Sequence, residues 1–134
     1  MYKKYITPEG KDQMLKLAFR NSENDTFNYL ALGGDNSQAA TSQVSQNFQE
    51  ISGDNYQRVA LENEGIQNQS ITLTGIFEDT NFNPSNGRLI KEIGIVNSST
   101  PKKGSEVFFA FAEVPEIYKN SNISLKYTMI ITLL

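Results

Sequence analysis

The run Arg88-Leu89-Ile90-Lys91-Glu92-Ile93-Gly94-Ile95-Val96 constrains this chain more than any other stretch. Its aliphatic and β-branched residues predict a strand. Two residues set it apart from an ordinary one. Strand side chains alternate, so Ile90, Glu92, Gly94 and Val96 fall on one face, and Leu89, Lys91, Ile93 and Ile95 on the other. Glu92 therefore places a carboxylate on an apolar face, which is costly unless the charge is paired or hydrogen-bonded. Gly94 weakens the strand unless a neighbouring group needs the space. The expectation is a structural Glu92, buried against a segment with polar backbone groups. It should accept hydrogen bonds from backbone N–H groups or from an arginine, Arg58 or Arg88.

The remaining chemistry narrows the function by residue type. The chain has 134 residues, with no cysteine and no histidine. Thiolate metal sites, disulfides and thiol nucleophiles are excluded, and so are histidine ligands and every Ser-His-Asp scheme. Net charge is −3, and the lysine pairs Lys3-Lys4 and Lys102-Lys103 are short, so no nucleic-acid partner is expected. The N-terminus lacks the apolar core of a signal peptide, and no run has the length of a membrane span. The expectation is a single domain over 1–134, made in the cytoplasm.

Thr7-Pro8-Glu9 reads as a helix start: an N-cap hydroxyl, a proline at the first position and an acid at the positive end of the dipole. Met14, Leu15, Leu17 and Ala18 continue an amphipathic helix to about Phe19. Strands are predicted over 27–32, 55–64, 70–78, 88–96, 107–114 and 123–134, in antiparallel hairpin order, with Pro115 closing the fifth. The polar stretch 35–54 carries only Val44, Phe48 and Ile51 as large apolar residues, at a spacing that allows one helical face. A structureless loop of that length would be unusual, so a short helix or a partner should order it. The fold class is mainly β (α+β): an antiparallel β-sandwich-like domain with one N-terminal amphipathic helix.

The layout resembles the N-terminal attachment module of bacteriophage tail-collar fibre and baseplate proteins. The residues that carry the resemblance are Ile6-Thr7-Pro8-Glu9-Gly10 at the helix start, Ala31-Leu32-Gly33-Gly34-Asp35 at the end of a short strand, and Tyr56-Gln57-Arg58-Val59. With them go the Glu-apolar-Gly-apolar strand Ile90 to Ile95 and its mate Val107 to Val114. The aromatic residue often found upstream of the Glu-Gly strand is replaced here by Gly87-Arg88-Leu89. Fibre proteins continue into a shaft and tip beyond this module, so the resemblance implies attachment and assembly more than receptor recognition. It implies a virion structural protein that docks or anchors tail components, with other tail or baseplate proteins as partners.

A competing reading is a carbohydrate-binding module for host cell-wall glycans, suggested by loops rich in Asn, Gln and Tyr, but the chain has no tryptophan. An enzyme is not expected: the nearest carboxylate pairs, Glu62 with Glu64 and Glu78 with Asp79, read as solvated charges. No metal or cofactor is expected, because the acidic residues lack calcium-loop spacing. Structural roles are expected for Glu92, Gly94 and Arg58. Alternation puts Val107, Phe109 and Phe111 on one face of their strand, and Phe108, Ala110, Ala112 and Val114 on the other. One helix can cover only one of these faces, so Val44, Phe48, Phe109 and Phe111 are expected at an interface, with copies of the chain around a three-fold axis or with a baseplate neighbour.

Overall fold

The computed structural model describes residues 2–20, 26–102 and 105–133. It is mainly β, with two antiparallel sheets packed in a sandwich-like arrangement and one longer helix. In chain order the elements are β1 (Lys4–Ile6), α1 (Pro8–Arg20), β2 (Tyr29–Gly33), α2 (Ala39–Ser42) with a 3-10 turn at Ser45–Asn47, β3 (Val59–Ala60), β4 (Glu62–Gln67), β5 (Ser70–Phe77), β6 (Arg88–Val96), β7 (Phe108–Lys119) and β8 (Leu125–Thr132). The larger sheet runs β1-β7-β6-β2-β3 and the smaller β4-β5-β8. The main core lies between them, around Leu30, Leu32, Leu73, Phe77, Ile93 and Ile95. No helix among the described residues is long and apolar enough to cross a membrane.

The strand expected over 55–64 is two strands in different sheets. Val59–Ala60 pairs with β2 at the edge of the large sheet, and Glu62–Gln67 pairs with β5 in the small one. Leu61 sits at the crossing, its N–H bound to the Asn28 carbonyl. Gly65, expected as the strand end, lies instead within β4 next to a bulge, at φ +132°. Hairpin order holds for β4–β5 and β6–β7, whereas β2 and β1 join the large sheet by crossing over. The edge strand β1 was not foreseen.

Pro115 does not close β7. Across the shift from Ile90↔Ile117 to Glu92↔Glu113, β7 carries extra residues opposite Lys91, and Pro115 lies among them. A bulge tolerates a residue without an N–H. The same irregularity separates Ile90, which packs in the main core, from Glu92, which does not. A second shift, from Ile95↔Ala110 to Val96↔Phe108, leaves Phe109 as an extra residue. It overturns the expected faces of this strand. Phe109, Ala110 and Ala112 pack into the main core, while Phe108 and Phe111 lie together on the far face.

Candidate functional site

The far face of the large sheet is where most of the singled-out residues meet. Across the β2–β6 pairing Ala31 faces Gly94 and Gly33 faces Glu92, so small residues surround the carboxylate. A Cβ on Gly33 would stand 2.5 Å from Ser37 Oγ and 2.9 Å from the Phe48 ring. One on Gly94 would stand 3.0 Å from the Phe108 ring. Gly33 is needed for the close approach of the segment that follows β2, and Gly94 leaves room for the Phe108 and Phe111 rings of β7.

That segment is fastened by Glu92, which is buried. Its Oε1 accepts from Ser37 Oγ at 2.8 Å and from the Ala39 N–H at 3.0 Å, and its Oε2 accepts from the Ala40 N–H at 3.0 Å. The carboxylate thus takes up free donors of the first turn of α2. Neither arginine reaches it. Arg88 pairs instead with exposed Asp54 at 2.9 Å, and Arg58 lies in a second knot. With both oxygens engaged and the residue buried, Glu92 holds structure.

The second knot joins two loops, the one before β3 and the one between β6 and β7. Buried Arg58 meets Glu50 through Nε at 2.9 Å and Nη2 at 2.7 Å, a two-point contact, and Glu106 through Nη1 at 2.8 Å. Nη1 also donates to the Ser98 and Thr100 carbonyls. Its guanidinium carbon lies 5.5 Å from the Phe108 ring centroid, within cation–π range. Burial alone would lower the guanidinium pKa, but the bonds to Glu50 and Glu106 outweigh it and hold the group firmly charged. Tyr56 donates to Glu50 at 2.6 Å and accepts from the Leu32 N–H at 3.0 Å. Burial and the Glu50 charge push its phenol well above the ordinary range.

Thr7 closes the third corner. Its N–H and hydroxyl bond the carbonyls of Phe109 and Phe108, and its Oγ1 accepts from the Gly10 N–H at 2.8 Å. Gly10 packs on the Phe109 backbone, where a Cβ would stand 2.5 Å from the carbonyl oxygen. Thr7, Gly10, Arg58 and Gly94 all converge on Phe108 and Phe109.

Two of the expected interface residues are not at the surface. Phe109 is buried against Phe27, with ring centroids 5.1 Å apart. Phe111 is buried against Phe48, Phe108, Ala39 and Ala40. The stretch 35–54 covers the face that was expected to need another subunit. It does so without many large side chains, because glycines and alanines on both surfaces let the backbones approach. Phe48 is half-buried in this packing, and Val44 alone of the four is exposed. The sequence reading also missed Lys119, which is buried over Phe82 with Nζ 2.8 Å from the Asn120 carbonyl and 3.6 Å from Asp79.

Of the acidic pairs, Glu62 and Glu64 lie exposed on β4, and Glu64 accepts from Thr74 Oγ1 at 3.0 Å. No cluster of three acidic residues suited to a metal ion occurs among the described residues.

An open apolar feature lies elsewhere. A groove of about 410 Å³ runs between α1, the 26–28 segment and the end of the small sheet, lined largely by Met14, Leu17, Phe27, Ile71, Ile131 and Leu133. Helix α1 is seated by its first turn. Met14 and Leu17 are half-buried, while Leu15 and Phe19 remain 59% and 83% exposed. Ile66 and Leu133 add exposed apolar surface at the rim.

Comparison with known protein families, curated proteins and solved structures finds no match.

Proposed function

We propose that this chain is a virion structural protein of a phage tail or baseplate, which docks fibre or receptor-binding components through protein–protein contacts. The resemblance of its motifs to tail-fibre attachment modules suggests the setting. The observation that carries the docking role is the apolar groove beside α1, lined by Met14, Leu17, Phe27 and Ile131, with Ile66 and Leu133 exposed at its rim. Contiguous exposed apolar surface of this kind marks interaction sites. The buried charged groups Glu92 and Arg58, by contrast, are engaged in fastening loops, which suits a scaffold better than an enzyme. The protein would be made in the host cytoplasm and reside in the tail of the virion.

Its partners on this reading are other tail or baseplate proteins and copies of itself. The three-fold contact expected from the sequence rested on an uncovered face of β7. Because that face is covered by the chain's own 34–48 segment, a contact between copies has to use another surface. Co-purification tests the role: the chain should retain tail or baseplate proteins, and Leu17→Asp with Ile66→Asp should release them. Retention of cell-wall glycans on an array, with no tail protein bound, would replace this reading with the carbohydrate-binding one.

A further inference from the structure

The two sheets of this molecule have four edges, β1 and β3 on one and β4 and β8 on the other. An exposed edge presents unpaired N–H and C=O groups to any strand that fits, and proteins usually blunt it with short strands, charges or bulges. Strand β1 spans only Lys4–Ile6 and β3 only Val59–Ala60. Strand β4 is interrupted by its bulge between Asn63 and Gly65 and carries Glu62 and Glu64. Strand β8 has the least of this protection. It pairs without a register shift over its full length, Leu125 to Thr132, has no proline, and bears a single charge, Lys126.

The pairing pattern shows which groups face outward. The Leu133 N–H bonds the Gln69 carbonyl, which continues the β5–β8 register one step beyond Ser70↔Thr132. In an antiparallel ladder hydrogen-bonded pairs alternate with non-hydrogen-bonded ones. Ile131, Met129, Tyr127 and Leu125 therefore bond β5. Thr132, Ile130, Thr128 and Lys126 turn their N–H and C=O groups to the free edge. Among the described residues no hydrogen bond reaches those groups. The side chains agree: Ser70 and Thr132 hydroxyls meet at 2.6 Å, as in a close non-hydrogen-bonded pair.

We propose that β8 is a self-association surface, where two copies pair β8 with β8 antiparallel about a two-fold axis at Met129. In this register Thr128 faces Ile130 of the partner copy and Lys126 faces Thr132. Every outward N–H and C=O of both strands finds a mate. The only charge on the strand meets a threonine rather than its own copy. A shift of the register by two residues leaves Thr132 or Lys126 overhanging. The pairing also covers Ile130, now 67% exposed, and the half-buried flanks of Tyr127, Met129 and Ile131. The two small sheets become one continuous sheet, a closed isologous assembly. The inference rests on strand geometry and does not depend on a role in a phage tail.

Sedimentation of the full chain across the micromolar range should show a concentration-dependent dimer. Ile130→Pro removes an outward N–H that β5 does not use. It should keep the β-sheet circular dichroism and raise the dissociation constant at least ~10-fold. If that variant does not fold, Ile130→Lys, which sets a charge from each copy beside the axis, serves in its place. Since the chain has no cysteine, Met129→Cys should cross-link its own copy under mild oxidant, because Met129 faces itself across a close pair. Tyr127→Cys, facing Ile131, should not. A wild-type chain that stays monomeric, a dimer unaffected at Ile130, or cross-linking at Tyr127 rather than Met129 would overturn the proposal.

Discussion

The two sheets solve the same problem differently. The large sheet is covered on both faces. One packs in the main core, and the other lies under the 34–48 segment, fastened by Glu92 and flanked by the Arg58 knot. The small sheet is covered on one face. Its outer face is a row of hydroxyls, Ser70 with Thr132 and Thr74 with Thr128, with Ile76 and Ile130 exposed among them. Polar backbone and charge are buried only where the partners are complete, as the low dielectric inside demands. Where no covering segment exists, the surface stays hydroxyl-rich and wettable. The large sheet thus reads as the fixed frame, and the small sheet with α1 as the surface left for contact.

The largest test of that contrast is Arg58→Ala. It leaves Glu50 and Glu106 facing each other without their cation and the Ser98 and Thr100 carbonyls without a donor. Breaking a buried pair costs about 3–5 kcal/mol, so thermal unfolding should shift down sharply. A variant that melts with the wild type would mean that the knot contributes nothing to the frame. Glu92→Ala comes next. It leaves Ser37 Oγ and the Ala39 and Ala40 N–H groups unpaired, at about 1–3 kcal/mol for such a loss. Hydrogen exchange should show 37–40 opening first.

How much of this was legible can be judged from these two residues. Glu92 announced itself, because a carboxylate in the middle of an apolar strand is stable there only when donors meet it. Arg58 was singled out by its motif and as a possible mate for Glu92, which it does not meet. Its partners lie 8, 40, 42 and 48 positions away in the chain (Glu50, Ser98, Thr100, Glu106), and no local pattern encodes such distances. The α1 start, β5 and β6 were readable from capping and alternation. The course of β7 was not, since a bulge changes which face a side chain takes without leaving a mark in composition.

Smaller effects are expected on the small sheet. Tyr127 is half-buried and its hydroxyl has no hydrogen-bond partner among the described residues; burial pushes the phenol up from its ordinary 10.0 to about 12. Because the folded value is raised, the neutral phenol contributes fully below pH 10.0. The contribution is lost as pH rises toward about 12, where the unfolded chain ionises first. Tyr127→Phe should therefore leave stability at neutral pH unchanged or slightly higher, and denaturant titrations at alkaline pH should show a shallower fall than in the wild type. A large loss at neutral pH would reveal a partner for the hydroxyl and make the small sheet more like the large one. Smallest of all is Ile130→Lys, a surface change that should move the stability of the single chain by no more than about 0.5 kcal/mol. A greater cost would place Ile130 in a packed environment within one copy.

By itself the sequence determined the class of the fold, the strands with regular alternation, the helix start at Thr7, and the need for a buried partner to Glu92. These follow from local rules: side-chain period, capping and the cost of an unpaired charge. Only the tertiary structure decided that 55–64 divides between two sheets, that β7 bulges at Phe109 and runs on through Pro115, and that the polar 34–48 segment covers the far face. Each depends on how closely distant backbones approach, and glycines and alanines record that distance only once their neighbours are known.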